Sequence, residues 1–324
     1  MIGKLAFTAA AALLLAAHGA SAQSPPTQQP LRIVVSFAPG GAQDVIGRYL
    51  GNKLTGRLGV PVIIDNKAGA GGVIAADAVA KAAPDGNTLL LATAGPISIA
   101  PHLNPKLAYN PRKDFAPVAM IADTPMTIAV RTQSAYGSVM DVLRDAKARP
   151  GQVSYASTGN GTVSHLTGEL FGQAAGVKLL HVPYRGAAPA LTDLLGGQVA
   201  LIVTTSASID PMVEDGKARV LASFTDKRLP NLKGSPTMAE ASGMKGLEVP
   251  VWVGLVAPAR TPQPVIDRLA AEIFAVCRLP ETQERFAALG TVTVCGGPGE
   301  LAKVIAEDDQ RWGKVITLGG IKGE

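Results

Sequence analysis

A chain of 324 residues that is 47% hydrophobic and 17% charged carries enough apolar side chains for a well-buried core, which excludes a disordered chain. At 4% aromatic residues it advertises no stacking platforms for sugars or bases. Its formal net charge of +5 is spread without a basic run, which disfavours nucleic acid as a partner while still favouring the arrival of an anion.

The chain opens with Lys4, an apolar alanine- and leucine-rich run, and the small-residue site Ala20-Ser21-Ala22. That order is the pattern of a cleaved secretory signal over residues 1–22. The run is short for a membrane-spanning helix. No cysteine stands at the cleavage point to take a lipid, and no arginine pair precedes the run. A mature chain free in solution outside the cytoplasm is therefore expected. Past residue 22, the longest apolar stretch, DLLGGQVALIVTTSA, is broken by glycines and hydroxyls and is no candidate for crossing a bilayer.

After a polar leader at 23–30, strand-like runs alternate with helical patterns. LRIVVSF precedes a helix near 42–58, PVIID precedes a glycine-rich loop and a helix near 72–83, and NTLLLAT follows a PDG turn. PVAMIAD and MTIAVR lead to a helix near 138–149, and QVSYAS to one near 162–175. KLLHVPY and VALIVTT precede helices near 186–195 and 207–215, with ARVLASF as the next strand. This alternation predicts an α/β fold of mainly parallel sheets with helices on both faces. An extended, proline-punctuated segment then makes a return crossing near 246–254. The helices PQPVIDRLAAEIFAVC and GELAKVIAEDDQRWGKVI follow and pack back on the first half. The length suits two lobes, residues 23–124 with 255–324 and residues 125–254.

Two loops carry the chemistry. In the first, the strand LRIVV runs into the stretch Ser36–Asp44, where Pro39-Gly40-Gly41 leads directly into a helix. A helix N-terminus offers unpaired N–H groups and a partial positive charge, and glycines there remove side chains that would hold a ligand off. Asp44 falls in the first turn, where a carboxylate caps those N–H groups. The second loop, Tyr155–His165, repeats the construction. Its strand ends at Ser157, Gly159 and Gly161 bracket Asn160, and a helix begins near Thr162. Ser157, Thr158 and Thr162 add hydroxyl donors. Neither loop contains Lys or Arg, so neutral donors would hold a carboxylate reversibly. A third glycine-rich stretch, Gly69–Gly72, reads as a tight turn for close packing.

Other chemistries fit less well. GNGTVS has Ser164 where a dinucleotide fingerprint needs its third glycine, and no acidic residue closes the next strand. A P-loop ending is absent. Ser157 with His165 as base and Asp193 as orienter would make a hydrolase, but no GxSxG elbow surrounds the serine. Cys277 and Cys295 have no Cys or His neighbours at zinc-like spacing. They are either a disulfide, worth on the order of 3 kcal/mol, or two buried thiols.

PGGAQD, IIDNKAGAGGVIAADAVAKAAPDGNTLL, DFAPVAMIA, YASTGNGTVSHLTGELF, HVPYRGAAPALTDLLGGQV, PTMAEASG and VWVGLVAPARTP stand in an order and spacing that resembles one family. It is that of the extracytoplasmic solute-binding proteins of tripartite tricarboxylate transporters, the TctC-like or Bug family. The resemblance runs across nearly the whole mature chain. It implies a two-lobed clamshell of the periplasmic-binding-protein type (type II-like) that closes on a small carboxylate in the periplasm, without cofactor, metal or catalysis. By position it assigns ligand contacts to Phe37, Gly40, Gly41, Ala42 and Asp44 in the first lobe. In the second lobe it assigns Ser157, Thr158, Gly159, Asn160, Gly161, Thr162 and His165. Thr93, Thr204 and Thr205 are candidates for the distal end of the site. Gln43 stands where the family commonly has a small hydroxyl residue, and Thr204 where many members have Asp, which argues against a ligand bearing an ammonium group. The implied partner is a membrane permease of a large and a small subunit, with a membrane sensor as the alternative.

Overall fold

The computed structural model describes residues 29–232 and 234–322, so the secretory signal read over 1–22 lies outside the described residues. Two sheets organise the chain. The first is built from β1 (Leu31–Val35), α1 (Ala42–Leu58), β2 (Val62–Asn66), α2 (Val73–Ala80) and β3 (Thr88–Ala92). A π-helical turn over Gly95–Ile99, the short helices α3 (Ala100–Leu103) and α4 (Pro111–Asp114), and β4 (Phe115–Asp123) complete this half. The second sheet starts at β5 (Met126–Arg131) and continues through α5 (Val139–Ala148), β6 (Ser154–Ser157), α6 (Val163–Ala175) and β7 (Leu180–Pro183). It ends with α7 (Ala187–Leu195), β8 (Leu201–Thr205), α8 (Ser206–Glu214) and β9 (Ala218–Ser223), after which comes the short α9 (Met238–Ser242). The chain then returns to the first sheet with β10 (Trp252–Pro258), α10 (Gln263–Cys277), α11 (Pro280–Ala288), β11 (Val292–Gly296) and α12 (Pro298–Gly319).

The strand orders are β11-β4-β10-β3-β1-β2 and β7-β6-β8-β5-β9. Both sheets are mixed rather than mainly parallel. Pairings within the βαβ segments are parallel, as right-handed crossovers require, whereas β10 is antiparallel to β3 and β4, and β5 to β8 and β9. The antiparallel strands adjoin the two places where the chain passes between sheets, and a strand arriving from the other sheet runs opposite to its neighbours. At those crossings the Thr124 N–H donates to Val251 O at 2.9 Å, tying the outgoing segment to the returning one.

The strands are apolar nearly throughout because both faces are covered. Ile33, Val35, Leu89 and Leu91 pack under α1 and α10, whereas Val34, Leu90 and Ala92 face α2 and the π-helical turn. The C-terminal helix α12 lies on β4 as expected and also reaches α6 of the second sheet, where Gln173 Nε2 donates to Val315 O at 3.5 Å. Cys277 and Cys295 are free thiols at the end of α10 and in β11.

A polar cluster sits beside the crossings. The Trp252 indole N–H donates to the buried Asp308 carboxylate at 2.7 Å. Burial, with the neighbouring Asp308 and Glu300 carboxylates, pushes Asp123 up to about 6. A folded-state pKa above the unfolded value gives stability that is present at low pH and lost as pH rises through about 6. Asp123→Asn should therefore stabilise the fold at pH 7.5, by about 2–3 kcal/mol, with the gain falling to about half at pH 5 because the penalty only disappears below the unfolded value of 3.8. Urea denaturation of both chains at the two pH values measures it.

Candidate ligand site between the two sheets

In the first loop, β1 ends and the backbone turns through Gly40, whose φ of +89° disfavours any other residue. Gly41 is the N-cap of α1 in extended conformation and has no side-chain cap bond, so the first-turn N–H groups remain available. Asp44 supports this loop from behind. Its Oδ2 accepts from Gly40 N at 3.0 Å and Arg48 Nε at 2.9 Å, and its Oδ1 accepts from Asn66 Nδ2 at 2.9 Å. The same Asn66 amide donates to Phe37 O at 3.0 Å. Burial alone would raise the Asp44 carboxyl, but the bonds from Arg48, Gly40 and Asn66 outweigh it and hold it below its usual range.

The second loop is braced by side chains. Thr162, the N-cap of α6, accepts from His165 N and donates to Gly159 O at 2.7 Å. Ser164 Oγ accepts from Thr158 N at 3.1 Å and donates to Val203 O of the neighbouring strand. Gly161 N donates to His165 Nδ1 at 3.3 Å, which places that ring's proton on Nε2. Ser157 does not meet His165. Its Oγ lies 2.6 Å from His181 Nε2, and the serine is fully buried. His165 and His181 stack face to face at 3.9 Å, with Tyr155 5.0 Å beyond His181. Burial pushes His165 down to about 4; burial and then the neighbouring His165 push His181 down to about 3. Both rings are thus neutral packing elements at neutral pH. Asp193, expected as the orienter of a triad, instead accepts from Tyr184 OH at 2.6 Å. The Ser157–His165 hydrolase arrangement is therefore not formed.

The third glycine loop brings the sheets together. A side chain at Gly71 would stand 2.5 Å from Asn160 O, and one at Gly95 would stand 2.8 Å from Gly71 O. Gly71 allows the backbone of the first half to touch the second loop directly.

Between the loops lies a narrow cleft with a cavity volume of about 40 Å³. Phe37, Pro39, Gly41 and Gln43 line one side, and Thr158, Thr162, Val163 and Ser164 another. Thr93 and Gly95, then Gly186, Ala187 and Ala188, then Thr205 and Ser208, with Met126 and Val251, complete the lining. Gln43, Val163 and Ser164, Ala187 and Ala188, Ser208 and Gly95 among them stand in the first turns of α1, α6, α7, α8 and the π-helical turn. At Gly41, Gly186 and Thr205 no side chain accepts from a first-turn N–H, and the Thr205 hydroxyl bonds instead to Ser208 Oγ at 2.9 Å. Among the described residues no charged side chain lines the cavity. Its electrostatics therefore come from helix N-termini and hydroxyls.

Of the residues selected from sequence, the structure brings Phe37, Gly41, Thr93, Thr158, Thr162 and Thr205 to the cavity wall. Gly159 and Asn160 line a neighbouring pocket with Gly71, Tyr184 and Arg185, and Gly40, Ala42, Asp44, Ser157, Gly161 and His165 line neither pocket. Thr204 does not reach the wall. It neighbours Thr205 on a strand, where successive side chains point to opposite faces, and its buried hydroxyl has no partner. Sequence reasoning missed Gly186–Ala188 and Ser208 as wall residues. The signal was available, because VPYRGAA and TTSAS repeat the strand-to-helix junction of the first two loops. Gly95 gave only the faint signal of a Gly-Pro pair after a strand.

His165 supplies the pH test of this scaffold. A folded-state pKa held below the unfolded value near 6.5 means stability is intact above 6.5 and falls as pH drops toward about 4. His165→Gln should unfold more easily than wild type at pH 7.5. The gap between the two should narrow by pH 5, since only wild type carries the proton penalty. Chemical denaturation midpoints at both pH values read this out.

Comparison with known proteins agrees with this architecture. The periplasmic binding protein BugD superposes with a TM-score of 0.86 and 36% identity, over 93% of this chain and 100% of that one. The Rhodopseudomonas palustris protein Rpa4515, solved with adipate, gives 0.87 and 34% over 93% of this chain and 100% of its own. MatC from the same organism, solved with bound malate, gives 0.84 and 33% over 89% and 98%. Residues 46–321 match the family described as the tripartite tricarboxylate transporter family receptor. With its two sheets flanked by helices and a cavity between them, the chain belongs to that family and is a two-lobed periplasmic binding protein of the TctC and Bug type.

Proposed function

We propose that this protein captures a small dicarboxylate between its lobes, residues 23–124 with 255–324 and residues 125–254, and delivers it to the membrane subunits of a tripartite transporter. The observation that carries this reading is the convergence of uncapped helix N-termini on a cavity with no charged side chain. A carboxylate there receives several N–H bonds while the ends of the helices supply the countercharge. Each such contact is worth roughly 0.3–1 kcal/mol when exposed and more when sealed from water. Several of them, with the hydroxyls of Thr93, Thr158, Thr162, Thr205 and Ser208, reach the roughly 8 kcal/mol of a micromolar complex.

The donors lie on opposite walls, which favours two carboxylates over one. No carboxylate faces the cavity to receive an ammonium group, and this argues against amino acids. The adipate and malate of the two Rhodopseudomonas palustris structures are dicarboxylates and support the same ligand class. Export through the segment at 1–22 belongs to this reading, and among the described residues no helix is long and apolar enough to cross a membrane.

Thermal shift and calorimetry with adipate, malate, glutamate and pentanoate test the proposal. Adipate or malate should raise the melting temperature, glutamate and pentanoate much less. Gly41→Val should abolish that shift. A side chain at Gly41 meets only Ala38 O, at 3.8 Å, so the variant folds, but its methyls occupy the cavity where a carboxylate would sit. Affinity should fall at least 100-fold. Undiminished affinity in the variant would refute the cradle assigned to the first loop.

A further inference from the structure

Cys277 ends α10, fully buried, and donates weakly to Ile121 O at 3.6 Å. Cys295 lies in β11, an edge strand, at an irregularity where pairing with β4 breaks between Thr293 and Gly296. The bulge leaves Cys295 with a φ of +56°, one of only two non-glycine residues at positive φ among those described. Cys295 is partly exposed and packs against the apolar cluster that holds Cys277, with its side chain and backbone beside the Cys277 thiol. Two thiols that were separate in sequence are thus in contact across α11, in the apolar cluster that also holds Phe286.

We propose that Cys277 and Cys295 are a cross-linking site and that the exported chain carries them as an intramolecular disulfide stapling the end of α10 to the edge strand β11. The idea that the chain meets an oxidising compartment rests on the export reading above; the pairing itself rests on the contact.

The chemistry is thiol–disulfide exchange with a disulfide-bearing oxidant, either a protein oxidase or oxidised glutathione. The accessible Cys295 gives up its proton and attacks one sulfur of the oxidant, releasing the oxidant's other sulfur as a thiolate. Cys277 then loses its proton and attacks Cys295 Sγ, expelling the second oxidant thiolate. The chain's two thiols lose two electrons and two protons, and the oxidant becomes a dithiol or two thiols. Burial raises the Cys277 thiol, with Cys295 adding to the effect. A scarce thiolate makes the second step slow. It also stabilises the disulfide once formed, because no thiolate is held in a favourable setting to drive reduction. The bridge would close the loop containing α11 and reduce the freedom of the unfolded chain.

The test uses the purified mature chain, so it stands whether or not the chain is exported. The reduced protein is refolded from denaturant in a buffer of reduced and oxidised glutathione, which removes burial as a kinetic barrier. The expected product has lost two hydrogens by intact mass, shows no free thiol under denaturing conditions, and yields a linked peptide pair holding Cys277 and Cys295. Its melting temperature should exceed that of the reduced form by roughly 5 °C. Cys295→Ser should show no oxidant-dependent shift. A product that keeps two free thiols, or holds glutathione on Cys295 as its stable end state, overturns the pairing. So does an oxidised chain that melts no higher than the reduced one.

Discussion

The constraint on which this structure depends is that a helix beginning at the end of a strand leaves its first N–H groups without partners. In α1, α7 and α8 no side chain supplies them, although in α8 the Ser206 N–H donates to Pro125 O at 2.8 Å, and residues at all of these helix starts line one cavity. Unpaired donors facing a closed space are costly unless water or a ligand meets them. With no charged side chain among the described residues that line the cavity, an anion is the partner that satisfies them best. Neutral donors also keep the complex reversible, which a Lys or Arg clamp would resist.

Holding such loops in place is the work of the residues behind them. Asp44 binds Gly40, Arg48 and Asn66, and Asn66 in turn holds Phe37 O. On the opposite side, the stacked His165 and His181 and the fully buried Ser157 brace the second loop. These groups look catalytic as a residue inventory and are structural in their contacts. Their polar atoms point into the loop backbone, and their low basicity is a consequence of being packed there.

The two halves are joined by more than the crossings at Thr124–Pro125 and Val251. Gly71 lets the first half touch Asn160 directly, Ser206 donates to Gly290 O at 2.7 Å, and α12 spans from β4 to α6. Because α8 presents Thr205 and Ser208 to the cavity while Ser206 reaches the first half, ligand wall and inter-sheet contact share one helix. Movement of one half against the other must therefore change the wall that the ligand meets.

Much of this was legible from the residues alone. Alternating apolar runs and helical patterns placed α1 at 42–58 and α5, α6, α7, α8 and α10 within a residue or two, because those signals are local: periodicity, glycine turns and hydroxyl caps; the short α3, α4, α9 and α11 carried too little of that signal to be read. The repeated strand–glycine–helix junction marked both main loops for the same reason. What the sequence could not determine was set by contacts between distant segments. Mixed rather than parallel pairing follows from where β5 and β10 enter their sheets. Ser157 meets His181 and not His165 because β6 and β7 are neighbours. Thr205 faces the cavity and Thr204 does not because of the pleat of β8. Helix starts at Gly186 and Thr205 became wall residues only when the two sheets faced each other. Local chemistry is written in neighbouring residues, whereas the direction a side chain faces depends on what the rest of the chain packs against it.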